Sequence, residues 1–222
     1  SVASRGLGDV YKRQVLKNIK LDKLTHVAFM GGEPFKNDLH KTFLQEIEKT
    51  KSLDTVVATY ITNGSYLPDK ETLELWGCLQ LVHLSFSIDG IGSHFDYLRW
   101  PLKWHQVEKN IKYLIDLNIP NFEIGISSAI NPFNIFYYDK YLEWEKNFFK
   151  DFPRYGNFTF EHAFETKGVV NLSCIPEKLA LAIKEKYNDT HPWLVNQMLP
   201  FDQSKYNNFI EHIKLHDTKR NL

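Results

Sequence analysis

Residues 81–90 read Leu-Val-His-Leu-Ser-Phe-Ser-Ile-Asp-Gly, and their alternation decides the fold class. In an extended chain Val82, Leu84, Phe86 and Ile88 share one face. His83, Ser85 and Ser87 share the other, in line with Asp89. Residues 122–131 repeat the pattern: Phe122, Ile124, Ile126 and Ile130 lie on one face, and Glu123, Gly125, Ser127, Ala129 and Asn131 on the other. A helix carrying Val107, Ile111, Leu114 and Ile115 is expected between them over residues 104–118.

Working outward, residues 25–30 form a short apolar run ending at Gly31-Gly32, and Leu39, Phe43, Leu44 and Ile47 follow at near-helical spacing. Residues 55–62 are rich in β-branched side chains and stop at the turn signal Asn63-Gly64. Pro68 suits the first turn of a helix carrying Leu73, Trp76 and Leu79. A further helix at 135–149 and a strand at 157–163 complete the series. Beyond about residue 165 the rhythm stops, leaving helices from Pro176 to Tyr187 and over residues 203–215.

Strands alternating with helices argue for parallel βαβ units. In a doubly wound sheet central strands tend to be apolar on both faces. Small and polar residues on one face only suit a barrel-like sheet with helices outside. The expectation is therefore an α/β chain: a partial TIM-like (β/α)6 barrel missing its first strand, over residues 15–165. Residues 166–222 would form a small, mainly helical C-terminal extension, itself truncated. Ser1 to Gln14 carries no helical or strand period and resembles translated adapter read-through, so it is set aside from the fold.

Composition narrows the function. The chain has 222 residues, and its 27 basic and 27 acidic side chains cancel, which gives no global attraction to nucleic acid or anionic lipid. No apolar run approaches the roughly 18 residues of a membrane span, and no secretory signal opens the chain, so a cytoplasmic protein is expected. Cys78 and Cys174 are the two cysteines, too few for a disulfide framework. Cys78 reads as a buried small hydrophobe and Cys174 as a free thiol. His26, His83 and His162 are the histidines nearest the strands, but no HxH or HExxH spacing supports a metal site. Aromatic residues between Phe133 and Phe149 read first as core.

In parallel α/β folds ligands meet the C-terminal ends of the strands. Here those ends carry Gly31-Gly32-Glu33-Pro34, Asn63-Gly64, Ser87-Ile88-Asp89-Gly90 and Asn131, with Arg99 just ahead of a helix. Two glycines let a ligand approach bare backbone, and the Glu33 carboxylate is an anion suited to an amine.

This order of motifs resembles the core of the radical S-adenosylmethionine (radical SAM) superfamily, close to its SPASM/Twitch branch, over residues 24–165. The resemblance implies that Gly31, Gly32, Glu33 and Pro34 bind the methionyl amine. It implies that Asn63 takes part in cofactor binding, that Ser87 and Asp89 lie near the cofactor's ribose and methionine moiety, and that Arg99 receives the methionyl carboxylate. Ser127 and Asn131 would lie near ribose and adenine. These residues position the cofactor, and none is assigned acid–base catalysis.

The family's CxxxCxxC loop, which holds a 4Fe-4S cluster, is missing from this sequence. Its expected place is upstream of residue 15, in a full-length parent. That parent would be an enzyme that cleaves S-adenosylmethionine reductively with help from an electron donor and abstracts hydrogen from a peptide, protein or small-molecule substrate. The present chain is expected to be inactive. The alternatives are a cluster-free barrel binding a nucleoside or amino-acid ligand, and an unrelated TIM-like hydrolase using Glu33 with Asp89.

Overall fold

The computed structural model describes residues 19–157, 163–165 and 167–220. The adapter-like segment, most of the strand expected at 157–163, and His162 lie outside the described residues. The strands are β1 (His26–Phe29), β2 (Val57–Thr62), β3 (Leu81–Ser87), β4 (Phe122–Ser127), β5 (Ala129–Ile130) and β6 (Ala163–Phe164). The helices are α1 (Leu39–Glu48), α2 (Lys70–Cys78), α3 (Gly92–Leu98), α4 (Trp104–Asp116), α5 (Tyr138–Phe149), α6 (Glu177–Tyr187), α7 (Pro192–Asn196) and α8 (Gln203–Arg220).

Among the described residues, four strands form one sheet in the order β1-β2-β3-β4, and β5 pairs with β6 in a second. β1 runs parallel to β2, and β2 to β3. Along β3 and β4 the bonds Val82 N–H to Asn121 O and Ile88 N–H to Ser127 O advance together, so this pair is parallel as well. Sequential parallel neighbours joined through helices are the βαβ repeat that the alternation predicts. The fold is α/β with a parallel four-stranded sheet.

The chain divides into two compact units. Of the described residues, the first holds 19–86 with 109–125 and 154–157; the second holds 87–108, 126–153, 163–165 and 167–220. The core of the first is aromatic. Tyr60 is fully buried, with the rings of Phe29, Trp76 and Phe35 at centroid distances of 4.8, 5.2 and 5.3 Å. Trp76 also stacks on Phe122 at 5.6 Å. In the second unit Tyr138, Tyr141 and Phe149 are buried, as the core reading of that aromatic stretch requires.

Several local expectations change. The continuous strand at 122–131 breaks at Ser128 into β4 and β5. The Ala129 N–H turns aside to donate to Asp89 Oδ1 at 2.8 Å, while the Ser128 carbonyl accepts from the Ala163 N–H. Period-2 alternation records which way side chains point and not where backbone N–H groups are spent. Leu39 is 54% exposed although it lies on the apolar stripe of α1; His40 and Lys41 are buried instead. Helix α2 starts after Asp69, whose carboxylate caps the Thr72 N–H at 2.9 Å, so Pro68 lies ahead of the cap and outside the first turn.

The two cysteines exchange roles. Cys78 is exposed and Cys174 is buried. Cys78 is the last residue of α2 and is exposed at the helix end, whereas Cys174 closes a one-turn helix in which Leu172 and Ser173 are also buried.

Candidate functional site

In the first unit the site grows from the exit of β1. Gly31 and Gly32 adopt φ of +86° and +61°, the left-handed region that side chains with a Cβ resist. Two such residues in succession turn the chain so that Glu33, in extended backbone, reaches the end of β2. Nothing lies within 4 Å of where a Cβ would stand on either glycine, so that side is open.

Glu33 is 9% exposed, and each of its carboxylate oxygens is held. The Thr62 hydroxyl donates to Oε1 at 2.6 Å, and the Asn63 N–H donates to Oε2 at 3.0 Å. Thr62 Oγ1 in turn accepts from the Gly64 N–H, and Asn110 Nδ2 donates to the Gly64 carbonyl at 2.8 Å. Asn63 Oδ1 accepts the Ser65 N–H, closing an Asx turn. The carboxylate is thereby fixed in an orientation while keeping spare lone pairs for a cation. Gly31, Gly32, Glu33 and Pro34 line a cavity of about 270 Å³ together with Phe29 and His40.

Asn63 thus meets Glu33 through its backbone N–H. Thr62, which holds Glu33, was not among the residues named from the sequence; its signal was a hydroxyl directly before Asn63-Gly64 at a strand end. Asn110, on α4, had no comparable signal.

In the second unit Asp89 is the centre. Its Oδ2 pairs with Arg99 Nη2 at 2.6 Å, and its Oδ1 accepts the Ala129 N–H. Asn134, another residue the sequence argument passed over, ties the loops: its Nδ2 donates to the carbonyls of Asp89 and Ala129 at 2.7 and 2.8 Å, and its Oδ1 accepts the Asn131 N–H. Asn131 spends its own amide within its turn, donating to the Ala129 carbonyl and accepting from the Phe133 N–H. Asp89 and Asn131 both line a cavity of about 440 Å³ in this unit. Ser87 and Ser127 are half-buried, and the Ser127 carbonyl accepts the Ile88 N–H.

Of the residues named from sequence, the structure thus brings Gly31, Gly32, Glu33, Pro34 and Asn63 together in one unit. It brings Asp89, Arg99 and Asn131 together in the other. His83 and Glu123 pair with each other, with His83 Nδ1 3.0 Å from Glu123 Oε2. Burial holds the His83 pKa low against the opposing pull of Glu123.

A 4Fe-4S cluster of the CxxxCxxC type needs three neighbouring thiolates. The chain has an exposed Cys78 in one unit and a buried Cys174 in the other, so its donor set does not fit that group. Among the described residues no group of three or more His, Cys, Asp or Glu side chains is placed to hold a metal ion. No described helix is long and apolar enough to cross a membrane.

No family model matches the sequence, and no curated protein matches it. A solved structure, that of SuiB from Streptococcus suis, is similar at 15% sequence identity with a TM-score of 0.44. The match covers 80% of this chain and 38% of the SuiB chain, so this chain spans well under half of that protein.

Proposed function

We propose that this chain binds S-adenosylmethionine, or a close aminoacyl nucleoside, in the manner of the radical SAM enzymes that its motif order resembles. The observation that carries the reading is the Glu33 carboxylate, buried behind two left-handed glycines and oriented by Thr62 and Asn63. A buried carboxylate is costly unless its oxygens are paired, and both are. It is suited to a ligand ammonium group, with the open face of Gly31 and Gly32 receiving the ligand's backbone-sized end. Pro34, buried, stiffens the exit.

Within the second unit, Asp89, Arg99, Asn131, Ser87 and Ser127 are the residues that the same resemblance assigns to carboxylate and nucleoside recognition. The Asp89–Arg99 pair presets the guanidinium, although one of its faces is already taken. Bound S-adenosylmethionine supplies a reactive sulfonium in this family; the residues here hold and orient it. No cluster-dependent step is assigned to this chain, because its thiols do not fit the cluster. A parent enzyme that carried one would take an electron donor and a peptide, protein or small-molecule substrate.

A second reading follows from that same misfit: a cluster-free barrel that keeps an amino-acid or nucleoside pocket. Calorimetric titration of the whole chain separates the two. Under the first reading S-adenosylmethionine binds at least about tenfold more tightly than either methionine or adenosine, and Glu33→Gln weakens it about tenfold or more while leaving the fold intact. Equal binding of one fragment alone supports the second reading. Absence of binding by all three at millimolar concentration overturns both.

A further inference from the structure

Helix α8 places His212, His216 and Arg220 at positions i, i+4 and i+8, one stripe of a helix surface. All three line the 440 Å³ cavity of the second unit, and so do Asp89 and Asn131. The helix is latched there by side chains. The Tyr97 hydroxyl donates to Asp217 Oδ1 at 2.9 Å, Arg220 Nη1 donates to the Tyr97 carbonyl at 2.8 Å, and Phe209 packs on Phe133 at 5.0 Å. The Arg220 guanidinium also lies 5.3 and 5.6 Å from the Tyr97 and Trp100 ring centres. A guanidinium has five N–H donors, so this anchoring leaves donors for a ligand.

The remaining lining is mixed: Leu98, Phe133, Val169 and Ile213 supply apolar wall, and Glu165 and Lys167 add one charge of each sign. Asp89 is already neutralised by Arg99. A cavity with one fixed guanidinium, two imidazoles beside it, apolar walls and an acidic residue of its own suits a singly charged anion with an apolar body.

We propose that this cavity takes a carboxylate-bearing ligand, with the carboxylate against the His212–His216–Arg220 stripe and its apolar body on Leu98, Phe133 and Ile213. This deepens the proposed function: it assigns a substrate class to the cavity that Asp89 and Asn131 share, and it rests on that cavity belonging to the active region.

Proton linkage supports the assignment. The His212 and His216 ring centres are 4.3 Å apart. Burial, then the neighbouring His212, Arg220 and Lys219, holds the His216 pKa below 6.5, with Asp217 opposing. Asp89, Glu165, Lys167 and Tyr97 are the groups that line the same cavity from other elements. An arriving carboxylate opposes that balance and favours the His216 imidazolium, so binding takes up a proton and tightens as the pH falls from neutral through 6.5.

The test is calorimetric titration of the whole chain, without S-adenosylmethionine, using N-acetyl-leucine and its neutral amide as probes. The acid is expected to bind at least about tenfold more tightly than the amide, with His216→Gln and Arg220→Gln each removing most of that difference. Repeating the wild-type titration in two buffers of different ionisation enthalpy reads the proton uptake without any variant. Equal affinity for acid and amide overturns the proposal, as does no binding of either near 10 mM. Tighter binding of inorganic phosphate than of the acid overturns the carboxylate assignment. Glu33→Gln lies in the other unit and is expected to leave this binding unchanged, so failure here and failure of the S-adenosylmethionine reading are separate results.

Discussion

The Thr62 hydroxyl and the Glu33 carboxylate, 29 residues apart in sequence, meet at 2.6 Å where β1 and β2 end. The bond ties the glycine turn to the sheet, so the geometry of the candidate amine site is set by the strand pairing and not by the loop alone. Thr62→Val keeps the shape and removes the donor. It is expected to cost about 1.5–3 kcal/mol, the range for a hydrogen bond to a charged group, with a parallel loss of ligand affinity. Urea unfolding and titration read the two effects, and an unchanged unfolding midpoint would show that Thr62 does not hold the carboxylate.

Lys41 is nearly buried, its side chain 10% exposed, and it contacts Asp38, Asp69 and Glu71 at 2.9, 2.6 and 3.1 Å. The Lys41 and Thr72 bonds hold the Asp69 carboxyl well below the ordinary carboxylate range. A depressed carboxyl pKa stabilises the fold fully above its unfolded value near 3.8 and loses that contribution as the pH falls below it. Asn caps a helix about as well as Asp, so Asp69→Asn removes the charge and keeps the cap of α2. The variant is expected to melt a few degrees lower at neutral pH, with the gap closing towards pH 2. A gap that stays constant with pH would assign the loss to the cap.

His40 is buried against Phe29 and Phe35, at ring distances of 5.9 and 5.7 Å. Burial, and then the Lys41 charge, lowers its pKa below 6.5. The unfolded chain then binds more protons, so stability is full above 6.5 and falls as the pH drops through that value. The slope contributed by one group is at most about 1.4 kcal/mol per pH unit. Urea midpoints compared at about pH 7.5 and 5.5 should decline in the wild type and decline less in His40→Gln. Equal declines would move the effect to another group, with His83 next in line.

Thiol chemistry checks the exchanged cysteines. Ellman's reagent is expected to titrate Cys78 in the native chain and to reach Cys174 only on unfolding, since the latter is fully buried with its Sγ 3.4 Å from the Val169 carbonyl. Rapid native reaction of both thiols would mean that the turn at Leu172–Cys174 opens.

What was legible in the sequence was whatever local periodicity records. The Val82, Leu84, Phe86 face of β3 and the Val107, Ile111, Leu114 stripe of α4 are buried as read. Asn63-Gly64 ends β2, and the paired glycines do turn the chain. What escaped depends on partners far along the chain. Lys41 looks like an ordinary helix-surface lysine until Asp69 and Glu71 arrive from 28 and 30 residues away. The break at Ser128 follows from where the Ala129 N–H bonds, and Asn134 acts through carbonyls of two other loops. The His212, His216, Arg220 spacing was visible, but only the cavity shows which way that stripe faces.

The Asp89–Arg99 pair supports the last prediction. Asp89 is 12% exposed at its side chain and Arg99 28%, so the pair is largely but not wholly withdrawn from water. Removing one partner of a fully buried pair costs about 3–5 kcal/mol, because the other charge is left uncompensated. Here water reaches Arg99, so Arg99→Gln is expected to cost about 2 kcal/mol. Asp89→Asn in the same background removes the stranded charge and should recover much of the loss, giving a coupling energy of about 1–2 kcal/mol in the double-mutant cycle. Strictly additive losses would show that the two side chains do not act as a pair. Arg99 would then be free to take a ligand carboxylate without first surrendering Asp89.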